Sequence, residues 1–418
     1  MYKIKQLFLV IIFAVISPFI FAQNTTNSPY TYYGYGKLAD QAFTSQRGMG
    51  GIGYGLRNPK MINPMNPASY SSVDSMTFML DMAISGQFGW YEEESKRERK
   101  TNGGLEYLAI QFPILKSGGM GFGLEPVSRV GYQYGKPEEL DNGSYSHSIY
   151  DGKGGLSQVY GTISYSIMNR LSVGTKVAYL FGDIINNKTS SFGANTNNTS
   201  WRDSLRVNGL TYNLGIQYLQ PISNNKNLVF GLVYTPKIKV NGTVKSDRLE
   251  VDAFGRTRSM EYQVSKDSIF EMPESYGAGI TYNQINKFTL GVDVLYQKWS
   301  EAKFYDSDKE LYDLLRFNAG GEYIPDALSR NYLKQIRYRV GAYHSDSYIK
   351  AKDAVGYKEY GISLGLGFPT IDRRSVINVS FEYSMLRPDT SDMLNEQYVK
   401  LTLSYTFNEL WFFKRKIQ

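Results

Sequence analysis

The sequence contains no cysteine and only two histidines among its 418 residues. Without cysteine, the chain has neither a disulfide framework nor thiolate ligands for zinc. His147 and His344 lie far apart in the sequence, and neither belongs to a nucleophile motif, so a hydrolase would lack its general base. No spacing of acidic residues indicates a calcium site. The sequence therefore predicts a protein that is not an enzyme and that carries no metal and no cofactor.

Long hydrophobic runs are also missing, with one exception at the N-terminus. There, Lys3 and Lys5 precede an apolar run over residues 7–21, and Ala22 offers a small residue for cleavage. This order is typical of a secretory signal peptide, residues 1–22, and the run is shorter than the ~20 residues of a membrane-spanning helix. The mature chain is expected outside the cytoplasm. It is either soluble or crosses a membrane with strands, which produce no hydropathy peak.

Charge of one sign is not concentrated anywhere in the chain. The formal net charge is +7, and the basic residues are scattered instead of interleaved with aromatics, so we expect no nucleic-acid partner. Aromatic residues are abundant, with 35 Tyr, 22 Phe and 4 Trp. An excess of tyrosine is typical of water–lipid boundaries, although secreted β-sandwiches are also rich in tyrosine and glycine.

Sustained helical periodicity is absent, and alternation with a period of two dominates from Ser75 onward. In EYGISLGLGF (residues 359–368), apolar side chains alternate with Gly and Ser. Most such segments exceed the ~5–6 residues usual in soluble sheets and match the ~9–11 residues of a tilted membrane crossing. Fourteen segments are expected, at residues 75–90, 103–115, 118–134, 155–167, 170–184, 206–220, 226–240, 270–284, 287–300, 313–324, 333–350, 356–369, 374–388 and 395–407. The predicted fold class is all-β, a transmembrane antiparallel β-barrel of about 14 strands within residues 75–407. The alternative is a soluble sandwich, whose apolar face a second sheet must cover.

The connections between these segments alternate in length. The short ones read KSGG, MNR, ISNNK, NQIN, PDALSRNY and TIDRRS, whereas the long ones include the charged run EEESKRERK (residues 92–100), which we expect to be a solvated loop. Short periplasmic turns and long outer loops are typical of outer-membrane barrels. The pattern predicts a protein of the Gram-negative outer membrane, in contact with its lipid, with both termini in the periplasm.

Residues 23–74 precede the first expected strand and contain the run GMGGIGYG. A phosphate-binding loop would need a strand before these glycines and a helix after them. Pro59, Pro64 and Pro67 exclude that helix. We therefore interpret residues 23–74 as a compact, irregular segment packed inside the barrel, where protein and lumen water satisfy its backbone.

RGMGGIG and NPMNPASY, ahead of fourteen strands and behind a signal peptide, resemble the long-chain fatty acid transporter (FadL/TodX) family of outer-membrane proteins, in a divergent branch. The resemblance implies that residues 23–74 form a hatch that plugs the barrel. Its implied gate residues are Gly48, Gly50, Gly51, Gly53, Asn63, Asn66, Pro67, Ala68 and Ser69.

The third expected strand, GMGFGLEPVSRVGYQY, contains a proline in its middle. Proline has no N–H for the strand ladder. In the transporter family this strand kinks inward and opens a lateral gap, and the resemblance assigns that kink to Gly121, Gly123 and Pro126. The alternative is an ordinary β-bulge that lets nothing through.

Alternation directs several charged side chains into the lumen. We expect them to pair with each other and with the hatch, because an unpaired buried charge is costly. The alternative is that some of them, for example Arg337 and Arg339, bind the carboxylate of a ligand. The expected inward charges are Asp81, Glu125, Arg129, Lys176, Asp293, Arg316, Glu322, Arg337, Arg339, Glu382 and Lys400.

Residues 408–418, NELWFFKRKIQ, follow the last expected strand, and the transporter family usually ends at that strand. This aromatic and basic tail is interpreted as a periplasmic anchor at the headgroup surface, or alternatively as a docking segment. The resemblance implies passive uptake of a hydrophobic small molecule, such as a fatty acid, through the hatch and the lateral gap. The alternative function is a non-transporting subunit or scaffold of a larger outer-membrane complex for protein secretion or assembly.

Overall fold

A computed structural model describes residues 26–411 apart from 94–95, 140–144, 169, 192–197, 253–255, 267–269, 305–310, 352–353 and 390–392. The expected signal peptide and residues 412–418 of the tail lie outside the described residues. Short α-helices cover Thr44–Arg47 and Tyr332–Gln335, and 3-10 helices cover Pro29–Tyr32, Pro67–Ser72 and Trp299–Glu301. No helix in the described part of the chain is long and apolar enough to span a bilayer.

Most of the described chain is β-strand. The strands are β1 Lys37–Leu38, β2 Thr77–Glu93, β3 Lys96–Ile114, β4 Gly118–Pro126, β5 Ser128–Glu139, β6 Tyr145–Ile167, β7 Leu171–Ser191, β8 Asn198–Ser223, β9 Lys226–Thr235, β10 Ile238–Val251, β11 Thr257–Lys266, β12 Phe270–Met272, β13 Glu274–Gln284, β14 Phe288–Lys298, β15 Leu314–Tyr323, β16 Arg337–Asp346, β17 Lys350–Ala351, β18 Ala354–Val355, β19 Lys358–Pro369, β20 Val376–Arg387 and β21 Asn395–Leu410.

Neighbouring strands pair antiparallel around a closed barrel. The first and last strands close it, with Thr77 of β2 opposite Leu410 of β21. Three barrel strands are interrupted: β4 and β5 form the third, β9 and β10 the seventh, and β11, β12 and β13 the eighth. The prediction of a fourteen-strand antiparallel barrel is confirmed. We call the end with the short connections the turn end and the opposite end the hairpin end.

The outer face of the barrel is apolar and uncovered. On β19, Ile362 and Leu364 are exposed, whereas Gly361 and Ser363, which alternate with them, face inward. Leu401 on β21 is likewise exposed. Exposed tyrosines surround this apolar band near both ends of the barrel: Tyr165, Tyr218, Tyr323, Tyr338 and Tyr405 toward the turn end, and Tyr179, Tyr212, Tyr234, Tyr276 and Tyr360 toward the hairpin end. Because no second sheet covers the apolar face, the sandwich alternative is wrong.

The strands continue well beyond the expected ranges at the hairpin end. β2 runs to Glu93 and β3 starts at Lys96, so the loop expected at residues 92–100 is largely strand, although Arg97, Glu98 and Arg99 are exposed as expected. β6, β7, β8, β10 and β11 extend in the same way. Outside a bilayer a strand still satisfies its backbone by pairing but needs no alternating apolar face, so these extensions carry no period-two signal. At the turn end β21 reaches Leu410, beyond the expected Phe407, and Trp411 stacks on Phe78 with ring centroids 4.4 Å apart.

The N-terminal segment runs through the lumen from one end to the other. Near its start, Ser28 donates a hydrogen bond of 2.7 Å to Glu396 at the hairpin end of β21. Near its finish, the Tyr70 carbonyl accepts one of 3.1 Å from Gln111, in the turn-end half of β3. Residues 26–74 therefore run from the hairpin end of the barrel to the turn end. The periplasmic location of both termini stays a prediction.

Glycines on the inner face of the wall make room for this segment. A Cβ atom on Gly231 would lie 1.8 Å from the Tyr54 carbonyl oxygen, and one on Gly341 would lie 2.1 Å from the Gly50 nitrogen. Further inner-face glycines contact the segment in the same way: Gly119, Gly121, Gly174, Gly215, Gly320 and Gly365. The backbone of the segment thus packs directly on the backbone of the wall.

We predict that Gly231→Ala destabilises the folded barrel. The added methyl group overlaps the Tyr54 carbonyl, and relieving such overpacking costs about 1–3 kcal/mol. The measurement is the temperature at which the protein loses its folded mobility in a detergent gel. Gly86→Ala is the matched control, because nothing lies within 4 Å of the added atom. Equal temperatures for the two variants would contradict direct packing of the segment on the wall.

Candidate functional site

The third barrel strand breaks between β4 and β5, directly after Pro126. Pro126 pairs with Ser157 of β6, whereas Val130 pairs with Gly154, so the third strand has one more residue than its partner across the break. This is a β-bulge, as the alternative interpretation of Pro126 expected. Opposite it, Gly154 and Gly155 have φ angles of 116° and 138°, which favour glycine.

The same break separates the third strand from the second. Their ladder ends at Leu108 of β3 and Leu124 of β4. Beyond it, no ladder joins residues 96–107 to residues 128–139 in the part of the chain that the structure describes. We call this interruption the seam. Gly121 and Gly123 precede the break, and their missing side chains admit the rings of Tyr70 and Tyr160. The inward kink and the lateral gap expected at Pro126 stay a prediction.

The N-terminal segment occupies the free edge of β5 on the inner side of the seam. Leu38 and Lys37 of β1 pair with Ser128 and Arg129, and the Ala39 amide donates to the Val127 carbonyl at 2.9 Å. The backbone groups that the second strand leaves unpaired are thus partly satisfied by the segment.

Glu106 lies at the seam because of a second bulge, in β3. Ala83 of β2 faces Tyr107 and Ile84 faces Leu105, so Glu106 is the extra residue. Glu106 and Tyr107 are both buried although they are consecutive. Simple alternation with Leu108 directs Glu106 toward lipid, and for that reason it is missing from the expected lumen charges. The signal in the sequence is a carboxylate at a position that the alternation directs toward lipid, shortly after the glycine pair at residues 103–104.

Glu106 binds three cations at once. Its Oε2 accepts from Arg47 Nη1 at 2.8 Å, and its Oε1 lies 3.0 Å from both Arg129 Nη2 and Lys400 Nζ. The Ser85 hydroxyl also donates to it. Arg47 belongs to the N-terminal segment, Arg129 to the third barrel strand and Lys400 to the last. We call these residues the Glu106 cluster. A carboxylate that is 1% exposed is stable only with such partners, so the cluster fastens three parts of the chain across the seam.

The N-terminal segment adds a second, half-buried pair next to the cluster. Asp40 Oδ2 accepts from Arg316 Nη2 at 2.7 Å. Burial opposes ionisation of Asp40, but the Arg316 and Arg47 guanidinium groups outweigh it and lower the pKa of this carboxyl. Burial likewise disfavours the charge of Arg47, whereas Glu106 and Glu382 outweigh it and raise its pKa. Both side chains are therefore ionised over the physiological range.

The remaining expected lumen charges are buried, apart from the half-buried Arg337, and most of them are paired. Glu322 binds Arg339 at 2.7 Å and Arg337 at 3.1 Å, and Glu125 binds Lys176 at 3.2 Å. Arg337 and Arg339 are thus already bound to a carboxylate of the wall, which supports the structural interpretation over a ligand headgroup.

Three carboxylates of the wall bind donors other than cations. Asp293 accepts from the amides of Gly53 at 2.6 Å and Tyr54 at 2.8 Å, and so holds the glycine-rich run. Asp81 accepts from Thr406, and Glu382 from Ser380.

The expected gate residues come together in one hydrogen-bonded unit. Gly50 and Gly51 have φ angles of 69° and 82°, as a glycine-specific turn requires, and Gly48 packs against the backbone of Gly365. Asn63 Nδ2 donates to the Gly53 carbonyl at 2.7 Å, and the Ser69 hydroxyl donates to the Asn63 carbonyl at 2.9 Å.

Asn66 connects this unit to the wall and starts the next helix. It caps the 3-10 helix that begins at Pro67, accepting from the Ala68 amide at 3.0 Å, and its Nδ2 donates to the Tyr54 carbonyl at 2.8 Å and to the Ile216 carbonyl of β8 at 3.2 Å. Movement of these residues as a gate stays a prediction.

The hairpin end of the lumen is closed by packed aromatic residues. Tyr35 contacts Phe304 and Trp299 with ring centroids 4.7 and 5.7 Å apart, and Trp299 contacts Tyr348 at 4.6 Å. All four side chains are buried. Below them lies a cavity of about 240 Å³, lined by Leu38, Val127 and Leu314 among others. A separate cavity of about 90 Å³ is lined by the Glu106 cluster, and one of about 380 Å³ lies at the turn end.

The two histidines lie on different strands, His147 on β6 and His344 on β16, where His344 stacks on Tyr360. Among the described residues, no three side chains of His, Asp or Glu converge as metal ligands would. The absence of a catalytic function, a metal and a cofactor stays a prediction.

The chain matches the model of a known protein family over almost its whole length. The model of one protein family, BamG, matches residues 3–418. The chain belongs to the BamG family. No curated protein matches the chain.

Solved structures share the fold of this BamG family member. The toluene transporter TodX of Pseudomonas putida matches with a TM-score of 0.63 at 15% identity, covering 90% of this chain and 100% of its own. A Pseudomonas aeruginosa FadL homologue matches with a TM-score of 0.62 at 12% identity, covering 90% and 99%. CymD, described as a monoaromatic hydrocarbon channel, matches with a TM-score of 0.59 at 15% identity, covering 88% and 97%. The resemblance to the FadL/TodX barrel is confirmed, and at this identity it concerns the fold.

We predict that Glu106→Gln destabilises the barrel by about 3–5 kcal/mol, because three cations then lose their shared anion. The measurement is unfolding in urea followed by loss of folded gel mobility. Glu98→Gln is the matched control on the same strand, since the exposed Glu98–Lys100 pair contributes at most ~1 kcal/mol. A Glu106→Gln barrel as stable as the control would contradict the fastening role of the cluster.

Proposed function

We propose that this chain is a closed outer-membrane barrel that acts as a structural subunit of a larger outer-membrane complex for protein secretion or assembly. By the rule that short turns face the periplasm, the turn end is periplasmic and the hairpin end faces outward. The observation that carries the proposal is the filled lumen, in which the N-terminal segment is bound to the wall by buried charges along its length.

A hydrophobic ligand needs a continuous path with apolar walls. In this barrel the way in from outside meets the packed rings of Tyr35, Trp299 and Tyr348, which are buried. The way out at the seam passes the cavity of about 90 Å³ that the Glu106 cluster lines. An apolar molecule cannot compensate these charges, and separating a buried ion pair costs about 3–5 kcal/mol. Both features support a barrel that does not conduct.

The hairpin end of the barrel has an exposed surface with which it can contact partner proteins. The long strands β6, β7, β8, β10 and β11 form a sheet that continues past the tyrosines of the hairpin end. On β11, Met260 and Tyr262 are 71% and 58% exposed. A subunit of an assembly needs such a surface for contact with its partners.

We predict that the protein, extracted from its membrane in mild detergent, migrates in an assembly much larger than one chain, and that the purified barrel gives no current in a planar bilayer. Glu106→Gln is the comparison variant for the electrical measurement, because it loosens the seam. A chain that migrates alone and conducts steadily would contradict the proposal.

The second candidate function is passive uptake of a hydrophobic small molecule, with outer loops that collect the ligand, residues 66–69 as the gate and the seam as the lateral exit. The missing ladder beside Val127 favours it, together with the cavity of about 240 Å³ that Val127 lines. The fold neighbours are described as hydrocarbon channels and toluene transporters, which agrees with this candidate.

If uptake uses the seam, a covalent bond that fixes the N-terminal segment to β3 beside the seam will stop uptake. Asn27 of the N-terminal segment donates to Asn102 of β3 at 2.8 Å, and the chain has no cysteine of its own. We predict that oxidised Asn27→Cys/Asn102→Cys takes up a radiolabelled fatty acid at least ~5-fold more slowly than its reduced form, with both single-cysteine variants as controls. Uptake that is equal in the two redox states would eliminate the seam as the exit.

A further inference from the structure

The short turns at the periplasmic end carry exposed aliphatic side chains at their tips. Leu115, Met168 and Ile371 are 80%, 90% and 104% exposed. The remaining turns present Ile222, Ile285, Leu328 and Leu333, which are also exposed. Together these seven residues are called the apolar rim. A single exposed aliphatic residue needs no explanation, but one on every short turn of a barrel forms a ring around its mouth.

Two rim residues adopt a backbone conformation that their side chains disfavour. Leu115 and Met168 have φ angles of 60° and 53°. Asn286, in another of these turns, has the same conformation at 57°, and asparagine is the residue type that tolerates it. Asparagine at positions 115 and 168 would therefore suit the turns better, and the aliphatic side chains there are not explained by the fold of the turns.

The rim lies on the water side of the tyrosines that surround the barrel. Aromatic belts lie at the headgroup level of a bilayer. Met168 follows Tyr165 on the same strand, Ile222 follows Tyr218, and Leu328 follows Tyr323. At about 3.3 Å per residue on the tilted strand β8, Ile222 lies roughly 9 Å beyond Tyr218. Met168 and Leu328 lie in the turns beyond the ends of β6 and β15. Aliphatic side chains at this level face the periplasm and not the hydrocarbon.

Each turn of the rim also carries a basic residue close to its aliphatic one. The turn sequences read LK from residue 115, MNR from 168, ISNNK from 222, INK from 285, LSR from 328 and IDRR from 371. The acidic residues among these turns, Asp326 and Asp372, accept hydrogen bonds from the amides of Leu328 and Arg374 and so serve the turns themselves. The rim is therefore apolar and positively charged.

We propose that the apolar rim is the docking surface for a periplasmic protein whose own surface is apolar and acidic. The positive charge selects an acidic partner, and the aliphatic tips provide the area that becomes buried. This inference rests on the proposed function, because it names the face on which the larger complex is built. The partner closes over the mouth of the barrel, where the N-terminal segment ends.

The position of the apolar rim relative to the lipid bilayer is tested first, on the purified protein. Because the chain has no native cysteine, Leu115→Cys, Met168→Cys and Ile371→Cys can each be labelled with a polarity-sensitive dye. In nanodiscs of phosphatidylethanolamine and phosphatidylglycerol we expect water-like emission at all three positions. Emission typical of hydrocarbon would place the rim in the lipid leaflet and overturn the proposal.

Occupation of the rim is tested in native membranes. We expect these three cysteines to react with a soluble maleimide at least ~5-fold more slowly in permeabilised cells than in nanodiscs. Met260→Cys, equally exposed at the opposite end of the barrel, is the control for reagent access, and its rate is used to normalise the others. Equal normalised rates in both preparations would overturn the proposal.

Two double variants distinguish a failure of the docking surface from a failure of the proposed function. Leu115→Asn/Met168→Asn is expected to keep the folded gel mobility of the barrel, since asparagine suits both turns, but to lose the large assembly. Arg373→Glu/Arg374→Glu is expected to lose it too, because the charge that selects the partner is reversed. An assembly that survives both changes overturns the docking surface alone. A native chain that never migrates in an assembly overturns the proposed function, and the docking surface with it.

Discussion

A carboxylate buried inside a membrane barrel has to be stabilised by the groups around it, and the architecture of this protein depends on how that is achieved at Glu106. The two oxygens of Glu106 bind Arg47, Arg129 and Lys400, which come from the N-terminal segment, the third barrel strand and the last barrel strand. None of these parts is adjacent to the others in sequence. The carboxylate therefore becomes stable only when the segment is inside, Arg129 of the third strand is in place and the barrel has closed.

This dependence couples two events of folding that are separate in a simple barrel. Closure pairs β2 with β21, and β21 carries Lys400. Entry of the N-terminal segment brings Arg47, and with it the backbone that packs on inner-face glycines such as Gly231 and Gly341. Because a side chain larger than glycine would leave no room, the wall is shaped for a segment that stays in place. Paired charges and close backbone packing thus hold the N-terminal segment against the wall.

Much of this fold can be predicted from the sequence, because lipid on one side and protein on the other impose a strict two-residue alternation. That alternation correctly directs Glu125, Arg316 and Glu322 inward and identifies the fourteen strands. It fails where the physical constraint is absent or interrupted. Beyond the bilayer, β8 and β10 continue without an apolar face, so their outer halves look like loops. At Glu106 a bulge reverses the alternation, and no period can reveal a residue that breaks it.

The partners within the N-terminal segment are beyond such reasoning for a different reason. Asp40 and Arg47 belong to irregular backbone, where no repeat relates a residue to a direction, so their pairing with Arg316 and Glu106 requires the folded structure. The glycine-rich run is recognisable because glycine and Asn-Pro pairs determine turns locally. The contacts of those turns cannot be recognised from the sequence, because Asp293, which binds the amides of Gly53 and Tyr54, is about 240 residues away.

The same barrel fold can enclose a passage or a core, and the difference lies in side chains that the fold does not specify. At 15% identity to the toluene transporter TodX, this chain shares the barrel fold. In a transporter the binding free energy of the ligand must exceed the free-energy cost of displacing the side chains that fill its path. Here the path is filled by ion pairs whose separation an apolar ligand cannot repay. The proposed role as a subunit of an assembly rests on that balance.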